Sequence, residues 1–114
     1  MVFKKFRDVV SQPVTGEGAQ KISIRVLIGE GDGAKNFNMR FFEIEPGGNS
    51  PLHSHPWEHE VFIVSGRGTL QVEGGEIELE TWDVVFVEPG ELHSFRADPG
   101  EGLKFVCCVP QGVG

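Results

Sequence analysis

Turn residues interrupt this chain every few positions, and that punctuation limits its fold more than any other feature. Clusters fall at Gly29-Glu30-Gly31-Asp32-Gly33, Pro46-Gly47-Gly48, Gly66-Arg67-Gly68, Gly74-Gly75, Pro89-Gly90 and Asp98-Pro99-Gly100. Sixteen glycines and seven prolines are too many for a helical protein, because both weaken helix interiors. No ten-residue segment carries apolar residues at i, i+3, i+4 and i+7, the stripe a helix needs. Between the breaks lie short runs of strand character. Residues 21–28 (KISIRVLI) put Ile22, Ile24, Val26 and Ile28 on one face. Residues 36–45 (NFNMRFFEIE), 60–64 (EVFIV), 83–87 (DVVFV), 93–97 and 103–109 (LKFVCCV) read as strands too. Residues 69–73 and 76–80 make a hairpin around Gly74-Gly75. Roughly nine or ten short strands at this spacing predict an all-β jelly-roll sandwich or barrel.

One domain is expected at 114 residues, with residues 1–20 as a short edge strand and loop and residues 21–114 as the barrel. Nine Phe, two Trp and no Tyr put the aromatic weight into apolar filling. Seventeen acidic residues against ten basic ones give a formal charge of −7, which repels phosphate backbones and anionic lipid, so no nucleic-acid or membrane partner is expected. The N-terminus lacks the apolar core of a signal peptide, and no run of 18 apolar residues exists. The two cysteines, Cys107 and Cys108, are adjacent, point to opposite faces of a strand and cannot easily bridge. A reduced, cytoplasmic protein is the expectation.

The chemistry concentrates in residues 47–66 (GGNSPLHSHPWEHEVFIVSG). His53, His55 and His59 fall within seven positions, and His93, the fourth histidine of the chain, follows in a second Pro-Gly turn. On an extended strand His53 and His55, at i and i+2, leave the same face and form half a chelate. Imidazole is the commonest protein ligand for Zn, Fe, Cu and Ni, and binds Mn more weakly.

The stretch Gly47, five residues, His53-Ser54-His55, three residues, His59, six residues, Gly66 resembles the first motif of the cupins, with His59 where that motif has glutamate. Glu60, one residue on, remains an alternative ligand, although period-two alternation turns it to the other face. Glu58 reads as a solvated or outer carboxylate. Pro89-Gly90-Glu91-Leu92-His93 keeps the Gly-x-x-His core of the second motif, while Trp82, Glu88 and Ala97 depart from its Gly, Pro and Asn. The segments HSHPWEHE, FVEPGELH and FVCCVP are similar to small single-domain cupins that bind manganese through four histidines. That likeness implies His53, His55, His59 and His93 as ligands of one divalent ion per chain. It implies manganese, where ligand type alone favours Cu, Ni or Zn and also admits Fe. It also places Phe105 and Cys107, which share a strand face, beside the metal.

Beyond the metal centre no catalytic side chain is identified. Trp57 either lines the site mouth or packs over the barrel rim. Cys107 is either a substrate-adjacent thiol or a small buried hydrophobe. Phe95 and Phe105 either shape a pocket or fill the core. Arg40 either enters the cavity to meet an anion or pairs with a glutamate at the surface. The resemblance implies a metal-dependent oxidoreductase of dioxygenase type that uses dioxygen or peroxide to oxidise a C=C bond or enol of a small molecule. The alternatives are a non-redox Lewis-acid isomerase or decarboxylase, and a binding module without turnover. It further implies a homodimer, with residues 2–10 as the exchanged or edge-pairing strand.

Overall fold

The computed structural model describes residues 1–113 and consists mainly of eight strands. They are β1 (Gln12–Pro13), β2 (Gln20–Ile28), β3 (Phe37–Asn49), β4 (His59–Val72), β5 (Gly75–Glu80), β6 (Val84–Val87), β7 (His93–Ala97) and β8 (Leu103–Pro110). Two single 3-10 turns lie at Phe6–Asp8 and Glu30–Asp32. Among the described residues no helix is long and apolar enough to cross a membrane.

Two long strands organise the barrel, and every pairing is antiparallel. β3 pairs with β2 and β8, and its last residue, Asn49, reaches Arg96 of β7. β4 pairs with β6 and β8 through its first half, and with β5 and β7 through its second. The pairings β3–β8–β4–β7–β3 therefore close a ring, as expected for a jelly roll.

The glycine clusters at 46–48 and 66–68 are not turns between strands. Both lie inside strands, β3 and β4, which is why eight strands form rather than nine or ten. Gly66 has φ +88, and a Cβ there would run into the carbonyl of Gly102. Its neighbourhood is where β4 leaves β8 and takes up β7. Glycine thus supplies close approach and a bend at a change of sheet, a use that composition does not distinguish from a hairpin.

Residues 2–10 form no strand within the chain; Phe6 instead packs edge-on against Phe41 of β3 at 4.8 Å, under the Arg25 guanidinium. The edge strand is only Gln12–Pro13, and Pro13 has no N–H to extend a ladder. The expected barrel span 21–114 ends one residue beyond the described ones.

Alternation fills the interior. β8 turns Leu103, Phe105, Cys107 and Val109 inward, and β4 turns His59, Val61 and Ile63 inward beside them. Each fully buried aliphatic or aromatic side chain stabilises the fold by about 1.5–3 kcal/mol. Cys107 is buried and Cys108 half-buried on the opposite face, and both are free thiols. Phe105 stacks on Phe42 at 5.3 Å and meets Phe95 at 4.7 Å. These three rings are the floor on which the histidines stand.

Candidate metal centre

His53 and His55 do not lie on a regular strand. Pro51 and Pro56 flank them and donate no backbone hydrogen bond, so residues 50–58 form a loop held at a few points. His53 and His93 exchange backbone hydrogen bonds of 3.1 and 3.0 Å, an isolated antiparallel bridge. Gly90 N–H donates to the His55 carbonyl at 2.8 Å, and Ser50 is tied to Phe95 and Ser94 of β7. The loop is thereby fastened to the Pro89-Gly90 turn and to β7. The two histidines are brought together by cross-chain anchoring rather than by strand pleat.

The four rings converge. His53, His55 and His93 each offer a nitrogen, all within 4.8 Å of one another, a group that could hold a metal ion. His59 lies beside that group: its ring centroid is 5.1 Å from His55 and 4.9 Å from His93, and its Nε2 is 3.1 Å from His93 Nε2. For metal–nitrogen bonds near 2.05 Å, two ligands on one ion stand roughly 2.9 Å apart at a right angle and about 3.3 Å apart in a tetrahedron. The observed separation falls between.

Backbone carbonyls orient two of the rings. His55 Nδ1 is 2.8 Å from the Trp57 carbonyl, and His93 Nδ1 is 2.8 Å from the Glu91 carbonyl. A carbonyl only accepts, so both Nδ1 atoms carry the proton and both Nε2 atoms present lone pairs to the cluster. Trp57 also stacks on His55, with centroids 4.3 Å apart and planes at 9°. His59 turns its Nδ1 to Cys107 Sγ at 3.0 Å.

Burial favours the neutral form of His53, His59 and His93, the form that binds metal. Burial, then repulsion by neighbouring imidazoles and Arg40, lowers the pKa of His59 to about 3. Burial first, and the other histidines after it, lowers His53 and His93 also. Burial raises the Cys107 thiol, against the lowering effect of Arg40. At neutral pH it is a thiol, not a thiolate.

A cavity of about 350 Å³ opens beside the cluster, lined by the four histidines and by Arg40, Phe42, Trp57, Phe95, Phe105 and Cys107, with Val14, Ile22 and Ile24 among the rest. The structure thus gathers all four candidate ligands and all four pocket candidates, Phe105, Cys107, Trp57 and Arg40. Arg40 lines the cavity. Glu60 does not join it; it is exposed on the outer face of β4 and shares a hydrogen bond with Glu58 that raises its pKa. Phe42 and Ile24 were not legible as lining residues, yet each sits on a face already marked, Phe42 two positions from Arg40 and Ile24 two from Ile22. Ser50 and the two orienting carbonyls had no sequence signal.

Residues 40–109 match the model of the Cupin_2 family, described as a cupin domain. The chain belongs to the cupins. A 1-methylthio-D-xylulose 5-phosphate methylsulfurylase of Rhodospirillum rubrum is 31% identical to this cupin over 102 residues, 90% of this chain and 65% of that protein. An oxalate-binding protein of Thermotoga maritima is 29% identical over 68 residues, 59% of this chain and 56% of that protein. The cupin therefore spans less than two thirds of either curated relative. Among solved structures, the polyketide cyclase RemF from Streptomyces resistomycificus superposes with a TM-score of 0.92 at 33% identity, covering 96% of this chain and 79% of that one.

Proposed function

We propose that this cupin is a metal-dependent oxidoreductase that binds one divalent ion through His53, His55, His59 and His93. In this reading it oxidises the C=C bond or enol of a small, largely apolar molecule with dioxygen or peroxide. The observation that carries the chemistry is the cavity wall: among the described residues it contains no aspartate or glutamate. A rearrangement of a carbonyl compound needs a base to move its proton, and no protein carboxylate is placed to act as one. Oxidation of a C=C bond or a preformed enol needs no protein base to abstract a C–H proton.

The residues fit a metal. Four imidazoles converge, two of them are set by carbonyls with lone pairs inward, and burial holds three of them neutral. When bound, a divalent ion on four neutral ligands keeps its full charge and supplies Lewis acidity and sites for exogenous ligands. Resemblance to the four-histidine cupins supports manganese. Phe42, Phe95 and Phe105 would bind the apolar body of the substrate and exclude water, and Trp57 fixes His55 while bordering the entrance.

A second reading, non-redox Lewis-acid catalysis, is favoured by similarity to a protein named as a polyketide cyclase. Oxygen uptake decides between them. With a 1,3-diketone probe and manganese-loaded protein, the oxidoreductase reading expects oxygen consumption matched to substrate loss, and none with zinc. Turnover that continues under argon and with zinc would establish the second reading instead.

A homodimer belongs to the same proposal. Exposed Val2, Phe3 and Val10 supply apolar surface at the N-terminal segment that such pairing would cover. Sedimentation with and without residues 1–11 tests it.

A further inference from the structure

The outside of the barrel is not alike all round. β6, β4, β8 and β3 lie side by side in one sheet. The runs EVFIV, VVFV and LKFVCCV in three of these strands are almost unbroken apolar sequence, where a strand with one wet face would alternate. The outward positions are accordingly apolar: Val84 and Phe86 on β6, Phe62 on β4, Val106 and Cys108 on β8, Phe37 and Met39 on β3. Register sets them in two rows, Val84–Phe62–Val106–Phe41 and, beside it, Phe86–Glu60–Cys108–Met39. β5 and β7, by contrast, turn Glu76, Glu78, Glu80 and Arg96 to solvent.

Trp82 extends this face from a strained position. Its φ is +79, which glycine adopts freely and which costs a residue with a side chain about 1–2 kcal/mol. The turn imposes that conformation. Trp82 N–H donates to the Ile63 carbonyl at 2.8 Å, Ile63 N–H to the Asp83 carbonyl at 2.9 Å, and the Thr81 hydroxyl to the Gly66 carbonyl at 3.1 Å. Yet the indole is 67% exposed, with its ring 5.8 Å from that of Phe62. Burial within one chain does not account for a tryptophan held there. At about 150–250 Å² per aromatic side chain, Trp82, Phe62, Val84, Phe86, Phe37 and Met39 leave roughly 600–700 Å² of apolar surface. The largest patch on an ordinary monomer is about 300–600 Å², and a standard interface takes about 800 Å² from each partner.

We propose that this sheet face packs against the same face of a second copy of the chain, with Trp82 and Val84 buried between the two. The face is self-complementary. A twofold axis along the row Val84–Phe62–Val106 lays these side chains on their own counterparts. It also carries Glu60, on one side of that row, to Lys104, on the other. Two sheets packed in this way stand about 10 Å apart with their side chains interdigitated. A formal charge of −7 disfavours an anionic lipid surface as the occupant. This inference shares with the proposed function only the pairing of two chains. The interface is the sheet face rather than residues 2–10, whose Phe6 lies at its margin on Phe41.

Sedimentation equilibrium and thermal unfolding of the full chain test this. Wild type is expected to be a dimer at micromolar concentration. Trp82→Gly should raise the dissociation constant at least about thirtyfold, as loss of an interface hot spot does. Its dilute monomer should melt no lower than dilute wild type, because glycine relieves the left-handed turn. Val84→Glu, at a side chain 75% exposed in one chain, should dissociate the dimer without loss of fold. Phe3→Ser combined with Val10→Ser should leave the dimer in place. A dimer untouched by Trp82→Gly and Val84→Glu would overturn the assignment. So would a Trp82→Gly monomer that melts below dilute wild type, since the indole would then serve the fold. Dissociation by the Phe3 and Val10 substitutions alone would overturn the sheet face and leave the N-terminal pairing standing. A wild type that stays monomeric at millimolar concentration would overturn both.

Discussion

His59 Nε2 lies 3.1 Å from His93 Nε2, joining the first residues of β4 and β7 across 34 positions of chain. Because His93 donates its Nδ1 proton to the Glu91 carbonyl, its Nε2 bears a lone pair. Two such nitrogens tolerate this distance only with a proton or a cation between them. In the first case His59 donates through Nε2 and accepts from the Cys107 thiol at Nδ1. In the second its Nδ1–H donates to that sulfur. Cys107 serves either tautomer, which gives the buried thiol a structural use.

Removing the His59 imidazole should weaken metal binding. His59→Ala is expected to lower metal affinity at least about tenfold, as loss of even an outer partner does at such sites. Glu60→Ala should leave it unchanged, because Glu60 faces outward from β4. Chelator competition on both variants measures this. An unchanged affinity for His59→Ala would remove that residue from the ligand set.

Acid should destabilise the metal-free protein through its buried histidines. The ordinary histidine pKa is 6.5, and His59 in the fold is held at about 3. Between those values the unfolded chain binds more protons, so stability falls as pH falls through that window and is insensitive to His59 above it. The lowered His53 and His93 act with the same sign. Urea midpoints from pH 8 to pH 4 should decline for the wild type and decline less for His59→Gln. Parallel curves would contradict the burial argument.

Gly66 and Gly74 separate crowding from backbone conformation. Both have positive φ, +88 and +80, but a Cβ at Gly66 meets the Gly102 carbonyl while one at Gly74 meets nothing within 4 Å. Gly74→Ala should cost about 1–2 kcal/mol from conformation alone. Gly66→Ala should cost more than about 4 kcal/mol or prevent folding. Thermal unfolding of both variants checks the difference, and similar losses would refute the role given to Gly66.

The sequence showed the class of fold and the identity of the cluster for different reasons. Alternation in residues 103–109 reports burial directly, and in residues 21–28 it marks the extent of β2 although Val26 is exposed, so both strands were legible nearly to their ends. Gly47 and Gly66 were misread because a glycine at a bend inside a strand and a glycine in a hairpin carry the same local signal. His53 and His55 were correctly paired on an incorrect ground: the loop that holds them is set by hydrogen bonds to Gly90 and His93, contacts between distant segments that no local pattern encodes. The place of Arg40 depended on which face of β3 the barrel turns inward. Ile44, four positions on and fully buried, shows that choice only once the strand is in place.

Elemental analysis of tag-free protein tests the metal centre most directly, with His59→Ala and His93→Ala in parallel. A four-histidine centre requires close to one divalent ion per wild-type chain after reconstitution, with manganese or iron in the oxidoreductase reading, and sharply less in both variants. Wild-type protein that binds no divalent ion after reconstitution with manganese, iron or zinc would contradict it.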